Sequence, residues 1–380
     1  MADQVAFASV QVEGIETFST VEFVEVEDND RLIDKATVVF DDTHEIAAST
    51  MLEQRQVVIE LGWCCEKARL FEGIIWQVKT EARGSRPGCK QRVTLVALDL
   101  SYKLNQGEAK PKTHVGKLSN ILKAIVEPYQ LPIGQIKLVE DPEFKAEAPL
   151  IQGPKTDWAY IQELAVQYGA RAFVEVNDDR SQFYFISEKF LLDGDPIGTI
   201  HYSPGTGPLI EFIYHRLASG AAPVCSATVT DPVTGEAPQK QGSPPAPEGM
   251  LAAAPDTKSR LDKLGAGLGS IYADAVDVVS KSAGQAEDAR ARQNLVGLPS
   301  DPVLRDYAIQ QDPTRSYGFV GRGVMVGTVN LRAKGKLTIT GIASWAEGDW
   351  YLRRVNHRVG GRPDETGTQG TYQTRFIVTR

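Results

Sequence analysis

The end of the chain alternates apolar and polar residues with a period of two, and this pattern constrains the fold more than any other feature. The residues on one side of an extended backbone there are Tyr372, Thr374, Phe376 and Val378. Only a β-strand uses this period, and a strand of this kind buries one face. Two earlier segments, 336–340 and 350–359, are rich in β-branched and aromatic residues. The sequence therefore predicts three final antiparallel strands, and a change of apolar parity near Arg353 and Arg354 predicts a bulge in the second.

The first hundred residues repeat short β patterns at intervals of about 8 to 12 residues, with turn-rich segments between them. Few helix signals interrupt these patterns, so the region is predicted to form a barrel or a sandwich. The polar stretch 27–30 is expected to be an exposed loop. Glu25 and Glu27 are expected on the solvated face of a strand. Gly73 lies inside one pattern, where a glycine marks a bulge or a close approach between backbones.

Between residues 108 and 200 the pattern changes to helices and a hairpin. Apolar residues at 118, 121, 122, 125 and 126 form the core-facing stripe of a first helix. The apolar face of a second helix consists of Trp158, Ile161, Leu164, Ala165 and Tyr168. Thr156 or Asp157 can cap the start of this helix, and Gly169 suits the position just beyond its end. The polar turn 178–181 separates two β patterns and predicts a hairpin.

A further β pattern, 201–217, begins the last domain and is then interrupted. The stretch 224–249 is rich in proline, glycine and serine and is predicted to be an extended linker or an exposed loop. Apolar residues between 261 and 278 repeat at alternating intervals of three and four, which is the spacing of a helical seam. This helix is expected to pack on its own chain, with a self-associating coil on a trimer axis as the alternative. Residues 224–311 are therefore predicted to be an insertion, after which the chain returns to the β domain near Tyr317.

The order of these features resembles the baseplate central-hub family, which includes the late control protein D group of contractile phage tails and the hub half of type VI secretion spikes. The best single match is the block 156–165 with Tyr168-Gly169-Ala170, because the middle domain of that family has the same run of aromatic helix, Tyr-Gly and hairpin. The residues that match the family's structural pattern are Gly73, Asp99, Trp158, Leu164, Tyr168, Gly169, Gly341, Tyr351, His357, Tyr372, Thr374 and Phe376.

The resemblance implies a fold that is mainly β with α+β elements. Two tail-tube-like β-barrel domains, 1–107 and 201–223 with 312–380, are expected to flank a small α/β domain, 108–200. The Pro-rich and helical insertion, 224–311, then lies within the second barrel. In the hub family both β units copy the fold of a tail-tube subunit, so three chains present six tube-like barrels in a ring.

The function that the resemblance implies is structural. The chain is expected to form a homotrimer with pseudo-sixfold symmetry, which adapts the sixfold tail tube to the threefold spike of a contractile tail or injection system. Its expected partners are copies of itself, a tail-tube or tube-initiator protein, a spike protein, and baseplate wedge or inner-tube proteins. It is expected to be made in the bacterial cytoplasm and assembled into a virion baseplate or an injection particle.

Composition excludes several other classes of protein. The formal net charge of −8 argues against a nucleic-acid surface spread over the molecule, because phosphate contacts need clustered Lys and Arg. No apolar run reaches the roughly 18 residues of a membrane-spanning helix, so no membrane insertion is expected. The four cysteines have no CxxC spacing, which indicates free thiols in a reducing compartment.

Motifs that carry catalysis or cofactor binding are missing from the sequence. There is no Gly-x-Ser-x-Gly, and the five histidines have no metal-ligand spacing. The run 321–323 resembles a dinucleotide fingerprint only superficially and is expected to be a hairpin turn. No catalytic, cofactor or metal residue is therefore predicted. The alternative is a tail-tip cell-wall hydrolase or carbohydrate-binding module, based on acidic pairs such as Asp178 with Asp179. That alternative also rests on the tryptophans Trp63, Trp76, Trp345 and Trp350.

Overall fold

The computed structural model describes residues 5–17, 20–42, 47, 51–63, 66–82, 91–216, 319–343, 346–360 and 372–380, and the backbone of three short strands between 225 and 294. The strands of the first part are β1 (Ala6–Val12), β2 (Ile15–Glu16), β3 (Thr20–Asn29), β4 (Lys35–Asp41), β5 (Gln56–Trp63), β6 (Glu66–Ala82) and β7 (Gln91–Asp99). Those of the last part are β15 (Thr199–His201), β16 (Leu209–Arg216), β17 (Cys225–Thr228), β18 (Gln239–Gly242), β19 (Gln293–Asn294), β20 (Phe319–Val326), β21 (Lys336–Thr340), β22 (Gly348–Gly360) and β23 (Tyr372–Thr379).

The middle of the chain forms a separate α/β unit. Its strands are β8 (Lys112–His114), β9 (Gly116–Lys117), β10 (Ile133–Lys137), β11 (Glu143–Phe144), β12 (Leu150–Gln152), β13 (Ala170–Asn177) and β14 (Arg180–Ser187). Its helices are α1 (Ser101–Asn105), α2 (Leu118–Val126), α3 (Asp157–Gln167) and α4 (Glu188–Asp193), with a 3-10 turn at Glu127–Tyr129. One hydrophobic core joins α2 and α3 to the β13–β14 hairpin.

The local predictions for this unit are confirmed. All five apolar positions of the α2 stripe are buried. The Thr156 hydroxyl accepts a hydrogen bond from the backbone N–H of Ala159 at 3.3 Å, which makes Thr156 the cap of α3. Asp178 and Asp179, the two residues between β13 and β14, both have left-handed backbone angles, as a tight two-residue hairpin turn requires.

One sheet of 13 strands connects the first and last parts of the chain. Its main path runs β16-β20-β23-β22-β3-β4-β7-β6-β5-β1-β2, with β21 and β15 attached beside β22. The two β domains share this path because β22 is long enough to pair with β21 over its first residues and with β3 over its last ones. Among the described strands, this path ends at β16 on one side and at β2 on the other.

The two parts of this sheet have the same strand order. In the first part the order is β3-β4-β7-β6-β5-β1, and in the last part it is β16-β20-β23-β22-β21-β15. In this order β3 corresponds to β16, β4 to β20, β7 to β23, β6 to β22, β5 to β21 and β1 to β15. One pairing differs, because β1 pairs with β5 antiparallel whereas β15 pairs with β21 parallel. We call these sets of six strands the first and the second β repeat.

Two irregularities of each repeat fall at corresponding positions, whereas the extra residue Leu70 between β5 and β6 has no counterpart between β21 and β22. Trp76 is an extra residue between β6 and β7, and Arg353 is the extra residue between the corresponding strands β22 and β23. Glu22 is an extra residue between β3 and β4, and Ile210 is its counterpart between β16 and β20. The predicted bulge near Arg353 is thus confirmed, and the chain builds one bulged arrangement twice.

Two expectations for the last part of the chain need correction. The run 321–323 lies inside strand β20 and is not a turn, and the rings of Phe212 and Phe376 fill the space where side chains at Gly321 and Gly323 would lie. Within 224–249, expected to be a linker or loop, β17 and β18 pair with each other, and β19 pairs with β17. The predicted helical seam between 261 and 278 lies outside the described residues.

Candidate assembly site at the junction of the two repeats

The second repeat contacts the first through an antiparallel ladder between β22 and β3. In its register, Asn356 lies opposite Glu27 and Arg358 lies opposite Glu25. The Nε atom of Arg358 lies 3.2 Å from Oε1 of Glu25, and both side chains are buried. Arg354 binds Glu27 in the same row of side chains. The junction is therefore both a backbone ladder and a row of ion pairs.

This ladder corrects the expectation for the acidic stretch. All four residues of 27–30 are buried at the end of β3, and Glu25 is only 5% exposed. The stretch lies within a sheet because its polar side chains have cationic partners that come from distant parts of the chain. For Asp30 these are Arg171 of the middle unit and Arg353 of β22, at 3.8 and 3.6 Å. A charged side chain is buried in a protein when it has such partners.

A second connection is made by residues 327–335, which link β20 to β21; we call them the junction segment. The indole N–H of Trp63 donates to the carbonyl oxygen of Gly327 at 2.9 Å, which ties this segment to β5. Arg332 donates to the carbonyl oxygen of Leu70 at 3.0 Å, and its Nε lies 3.3 Å from Oε1 of Glu175 in the middle unit. The junction segment thus contacts both other parts of the fold.

Lys334 is the most deeply buried charge of the junction segment. Its ammonium group donates to a carboxylate oxygen of Asp28 and lies 3.5 Å from Oδ2 of Asp34. It also lies 4.0 Å from Oε2 of Glu175 and 4.8 Å from the ring centroid of Phe173. One lysine of the second repeat therefore neutralises acids that belong to the first repeat and to the middle unit.

Burial and charge shift the pKa values in this cluster in opposite directions. Burial would raise the pKa of Asp28, but the charges of Lys334 and Arg332 bring it below its ordinary value. Burial raises the pKa of Asp34 well above its ordinary range and that of Asp99 to about 6. Burial would lower the pKa of Lys334, but the surrounding carboxylates raise it. Asp28 and Lys334 thus form the charged pair, while Asp34 and Asp99 hold protons more tightly than exposed carboxyl groups do.

The residues that match the hub family fall into two groups in space. Those of the middle unit belong to its hydrophobic core: Trp158, Leu164 and Tyr168 are buried, and Gly169 has a backbone φ of +54° just beyond the end of α3. A left-handed residue there ends a helix, and glycine adopts that conformation without strain. These residues shape the middle unit rather than an exposed site.

The matching residues of the last strands form one connected group beneath the junction segment. One nitrogen of the His357 ring lies 2.9 Å from the Tyr372 hydroxyl, and the other lies 3.0 Å from the carbonyl oxygen of Leu331. The Thr374 hydroxyl accepts a hydrogen bond from the N–H of Thr328 at 3.0 Å. These side chains hold the junction segment against the sheet.

His357 is neutral in this environment. Burial and, to a lesser extent, the charge of Arg332 lower the pKa of its imidazole to about 3. A neutral ring has one donor and one acceptor nitrogen. Because the carbonyl oxygen of Leu331 can only accept, the nitrogen that faces it donates, and the other nitrogen accepts from the Tyr372 hydroxyl. The histidine is thereby a structural bridge.

The remaining matching residues are positions where backbones approach each other or where the core is filled. A Cβ atom at Gly73 would lie 2.2 Å from the carbonyl oxygen of Leu98, and one at Gly341 would lie 2.5 Å from that of Tyr202. Asp99 accepts hydrogen bonds from the N–H groups of Asp34 and Ser101. Tyr351 and Phe376 are buried in or beside the core of the second repeat.

The most important charges of the junction were missed by the sequence analysis. Lys334, Arg332 and Glu175 occur in ordinary polar surroundings in the sequence, and nothing near them indicates burial. Their partners lie far away in the chain; the N–H of Ala333 donates to Asp28 across 305 positions. A lone sequence gives no signal for such pairs.

The tryptophans offered for a carbohydrate site do not form one surface. Trp350 is fully buried, and Trp63 is half-buried with its indole N–H bonded to Gly327. Trp76 is 48% exposed, and Trp345 lies outside the described residues. Within the described ranges, no group of His, Cys, Asp and Glu side chains is arranged to hold a metal ion, and no helix has the length and apolarity to cross a membrane.

Comparison with solved structures gives matches along nearly the whole chain. A tail protein from Neisseria meningitidis MC58 matches with a TM-score of 0.65 at 12% identity, over 99% of this chain and 97% of that one. The 43 kDa tail protein of prophage MuSo2 from Shewanella oneidensis matches with a TM-score of 0.61 at 7% identity, over 99% and 98%.

The E. coli c3393 protein also matches, with a TM-score of 0.54 at 10% identity, over 97% of this chain and 76% of that one. It is described as a component of the type VI secretion system with structural similarity to the T4 bacteriophage tail proteins gp27 and gp5. No protein-family model and no curated protein matches the sequence. These matches show that the chain has the mainly β fold of phage tail proteins, which a type VI secretion component shares.

Proposed function

We propose that this protein is a structural baseplate hub, which forms a homotrimeric ring between a sixfold tail tube and a threefold spike. Each chain contributes two β repeats, so three chains contribute six similar units around one axis. Such a ring presents sixfold features on the face where the two repeats are equivalent and threefold features on the face where the two repeats of each chain differ. This is the symmetry adaptor that a contractile tail or injection system needs.

The observation that carries the proposal is the duplication inside the chain. Six strands pair in the same order twice, and the bulges at Trp76 and Arg353 fall at corresponding positions, as do those at Glu22 and Ile210. The two repeats also join edge to edge through β22 and β3. A chain that only needed a binding surface would not need two copies of one arrangement in a continuous sheet.

The partners follow from the two faces of the ring. We propose that a tail-tube or tube-initiator protein docks on the sixfold face and a spike protein on the threefold face, with baseplate wedge or inner-tube proteins beside them. The solved structures with this fold are tail proteins and a type VI secretion component, which supports partners of this class. The protein would then reside in a virion tail or an injection particle.

The same comparisons support a role without catalysis, because the structural neighbours are tail proteins. A cell-wall hydrolase needs two acidic side chains that flank one cleft. The pair Asp178 and Asp179 occupies a two-residue turn, and Glu25 and Glu27 are buried against arginines. These pairs give no support to the hydrolase alternative.

The mass of the protein in solution tests the proposal. Light scattering on the purified full-length chain should give about three times the 41.5 kDa of one chain. In particles, density at the tube–spike boundary should show six similar β units around one channel. A chain that stays monomeric at all concentrations and binds neither tube nor spike protein would contradict the proposed function.

A further inference from the structure

Among the described strands, each β repeat has an open strand edge at a place that corresponds to one side of the β22–β3 junction. The first open edge belongs to β16, which pairs with β20 on one side and with no described strand on the other. The second belongs to the outer half of β6. This strand pairs with β5 only as far as Ile75, so from Trp76 to Ala82 it pairs with β7 and with no other described strand.

The junction inside the chain shows what these edges can do. In the second repeat, β22 corresponds to β6, and its outer half pairs with β3. In the first repeat, β3 corresponds to β16. The open half of β6 and the open edge of β16 are therefore the counterparts of two segments that already pair with each other inside the same chain.

We propose that β6 of one copy pairs antiparallel with β16 of a neighbouring copy, in the register of the β22–β3 ladder. The proposal rests on the ring proposed above and names the segments that close it. Each chain carries one open β6 half and one open β16 edge, so the contact is head-to-tail, and a closed ring leaves neither edge open. Pairing of exposed strand edges is a common way to join chains.

The corresponding bulges fix the register of this ladder. Counted from the bulges at Trp76 and Arg353, Lys79 corresponds to Asn356 and Glu81 to Arg358. From the bulges at Glu22 and Ile210, His215 corresponds to Glu27 and Ile213 to Glu25. Since Asn356 pairs with Glu27 and Arg358 with Glu25, Lys79 should lie opposite His215 of the neighbouring copy, and Glu81 opposite its Ile213.

The exposed side chains agree with this register. Ile213, which the register places opposite Glu81 of the neighbouring copy, is 57% exposed in the single chain. The bulged residues Trp76 and Ile210, one at each end of the ladder, are 48% and 55% exposed. On the other face of the ladder, the half-buried Phe212 and Tyr214 of the neighbouring copy would lie opposite Ala82 and Thr80, at the edge of the core of the second repeat. The ladder would thus cover apolar surface on both faces.

Paired cysteines test the register. In a chain whose four native cysteines are replaced by serine, Lys79→Cys and His215→Cys together should form disulfides between copies upon oxidation with copper–phenanthroline, since directly opposite strand residues have the Cα spacing of a disulfide. A non-reducing gel should show covalent species of two and three chains. Each single cysteine variant should give the one-chain band, and Thr80→Cys with His215→Cys should cross-link far less, because a shift of one residue moves the thiol to the other face.

Light scattering on the same unoxidised variants separates the possible failures. A mass of three chains without the Lys79–His215 cross-link would overturn the edge pairing and leave the proposed ring intact, closed by other surfaces. A chain that is monomeric at every concentration and binds neither tube nor spike protein would overturn both proposals. Cross-links at the predicted pair in a species of three chains would support both.

Discussion

Arg358 of β22 and Glu25 of β3 form an ion pair across the ladder that joins the two β repeats, 3.2 Å between Nε and Oε1. Both side chains are almost completely buried, and the guanidinium carbon lies 5.4 Å from the centroid of the Phe23 ring. In this ladder β22 covers an edge of β3 that would otherwise face solvent. The stabilisation that the Arg358–Glu25 pair contributes is therefore part of the free energy that joins the two repeats.

Arg358→Met should lower the free energy of unfolding by about 3–5 kcal/mol, because it leaves the Glu25 carboxylate buried without its cationic partner. Urea unfolding followed by circular dichroism measures the change. Adding Glu25→Gln to this variant removes the orphaned charge and should restore part of the loss. If the two substitutions cost the sum of their separate effects, the residues are not coupled and this account of the junction is wrong.

Lys334→Met should be at least as damaging as Arg358→Met. It leaves Asp28, Asp34 and Glu175 close together in a buried place with no ammonium group between them. The expected loss is about 3–5 kcal/mol in the free energy of unfolding, again measured in urea. Lys123→Met, the same change on an exposed part of α2, should stay within about 0.5 kcal/mol of the native protein. An equal effect of both changes would exclude a special role for Lys334.

Regular elements of the fold could be predicted because their signals are local. The parity of Tyr372 to Val378 indicated β23, and every apolar position of the α2 stripe is buried in the structure. The turn at Asp178 and Asp179 likewise carried its own signal. In each case the residues that decide the structure are neighbours in the sequence.

The junction could not be predicted because its energetics depend on distant pairs. The stretch 27–30 has the composition of a loop, and only the positions of Arg171, Arg353 and Lys334 make its burial favourable. The correspondence of the bulges at Trp76 and Arg353 likewise becomes visible only once both ladders are known. The sequence patterns identified the strands. Which strand edges pair and which charges are buried could be known only from the fold.

Asp99→Asn should change how stability depends on pH. Burial raises the pKa of Asp99 to about 6, from about 4 in an unfolded chain. The folded state therefore holds this proton more tightly, so the stabilisation is fully present below pH 4 and is lost as the pH rises through 6. The asparagine variant lacks this loss. Its stability relative to the native protein should rise by about 2–3 kcal/mol between pH 4 and 7.

The measurement is urea unfolding at several pH values, with Glu140→Gln as the same chemical change at an exposed position. Subtracting the native curve from the variant curve cancels the contribution of His357, which titrates in both proteins, and leaves that of Asp99 together with the change at Asp34, whose pKa the charge of Asp99 helps to raise. A difference that stays flat between pH 4 and 7 would show that Asp99 is not held in its protonated form.

Gly73→Ala should destabilise the protein by about 2 kcal/mol, because the new Cβ would lie 2.2 Å from the carbonyl oxygen of Leu98. Relief requires movement of β6 away from β7, since backbone atoms leave no flexible side chain to give way. Gly153→Ala is the matched control, because its Cβ would have no neighbour within 4 Å. Thermal unfolding should show a clear loss for the first variant and little change for the second; equal midpoints would contradict the close approach at Gly73.

Ile213→Glu should weaken association between copies without unfolding the chain. Ile213 is 57% exposed in the single chain, but in the proposed ladder it lies opposite Glu81 of the neighbouring copy. The substitution removes a buried apolar side chain from each contact and places two carboxylates across from each other. The dissociation constant of each contact should rise about tenfold or more. Sedimentation velocity over a concentration series measures this shift.

Glu81→Lys in the same chain should restore association, because the carboxylate at position 213 then lies opposite one lysine and close to Lys79 of the neighbouring copy. Ile151→Glu provides the control for the single substitution, since Ile151 is 68% exposed on the middle unit, away from both open edges. It should leave the mass unchanged. Within one chain β6 and β16 are not neighbours in the sheet, so rescue would indicate a contact between copies. If Glu81→Lys fails to rescue Ile213→Glu, these residues do not face each other, and the register derived from the bulges is wrong.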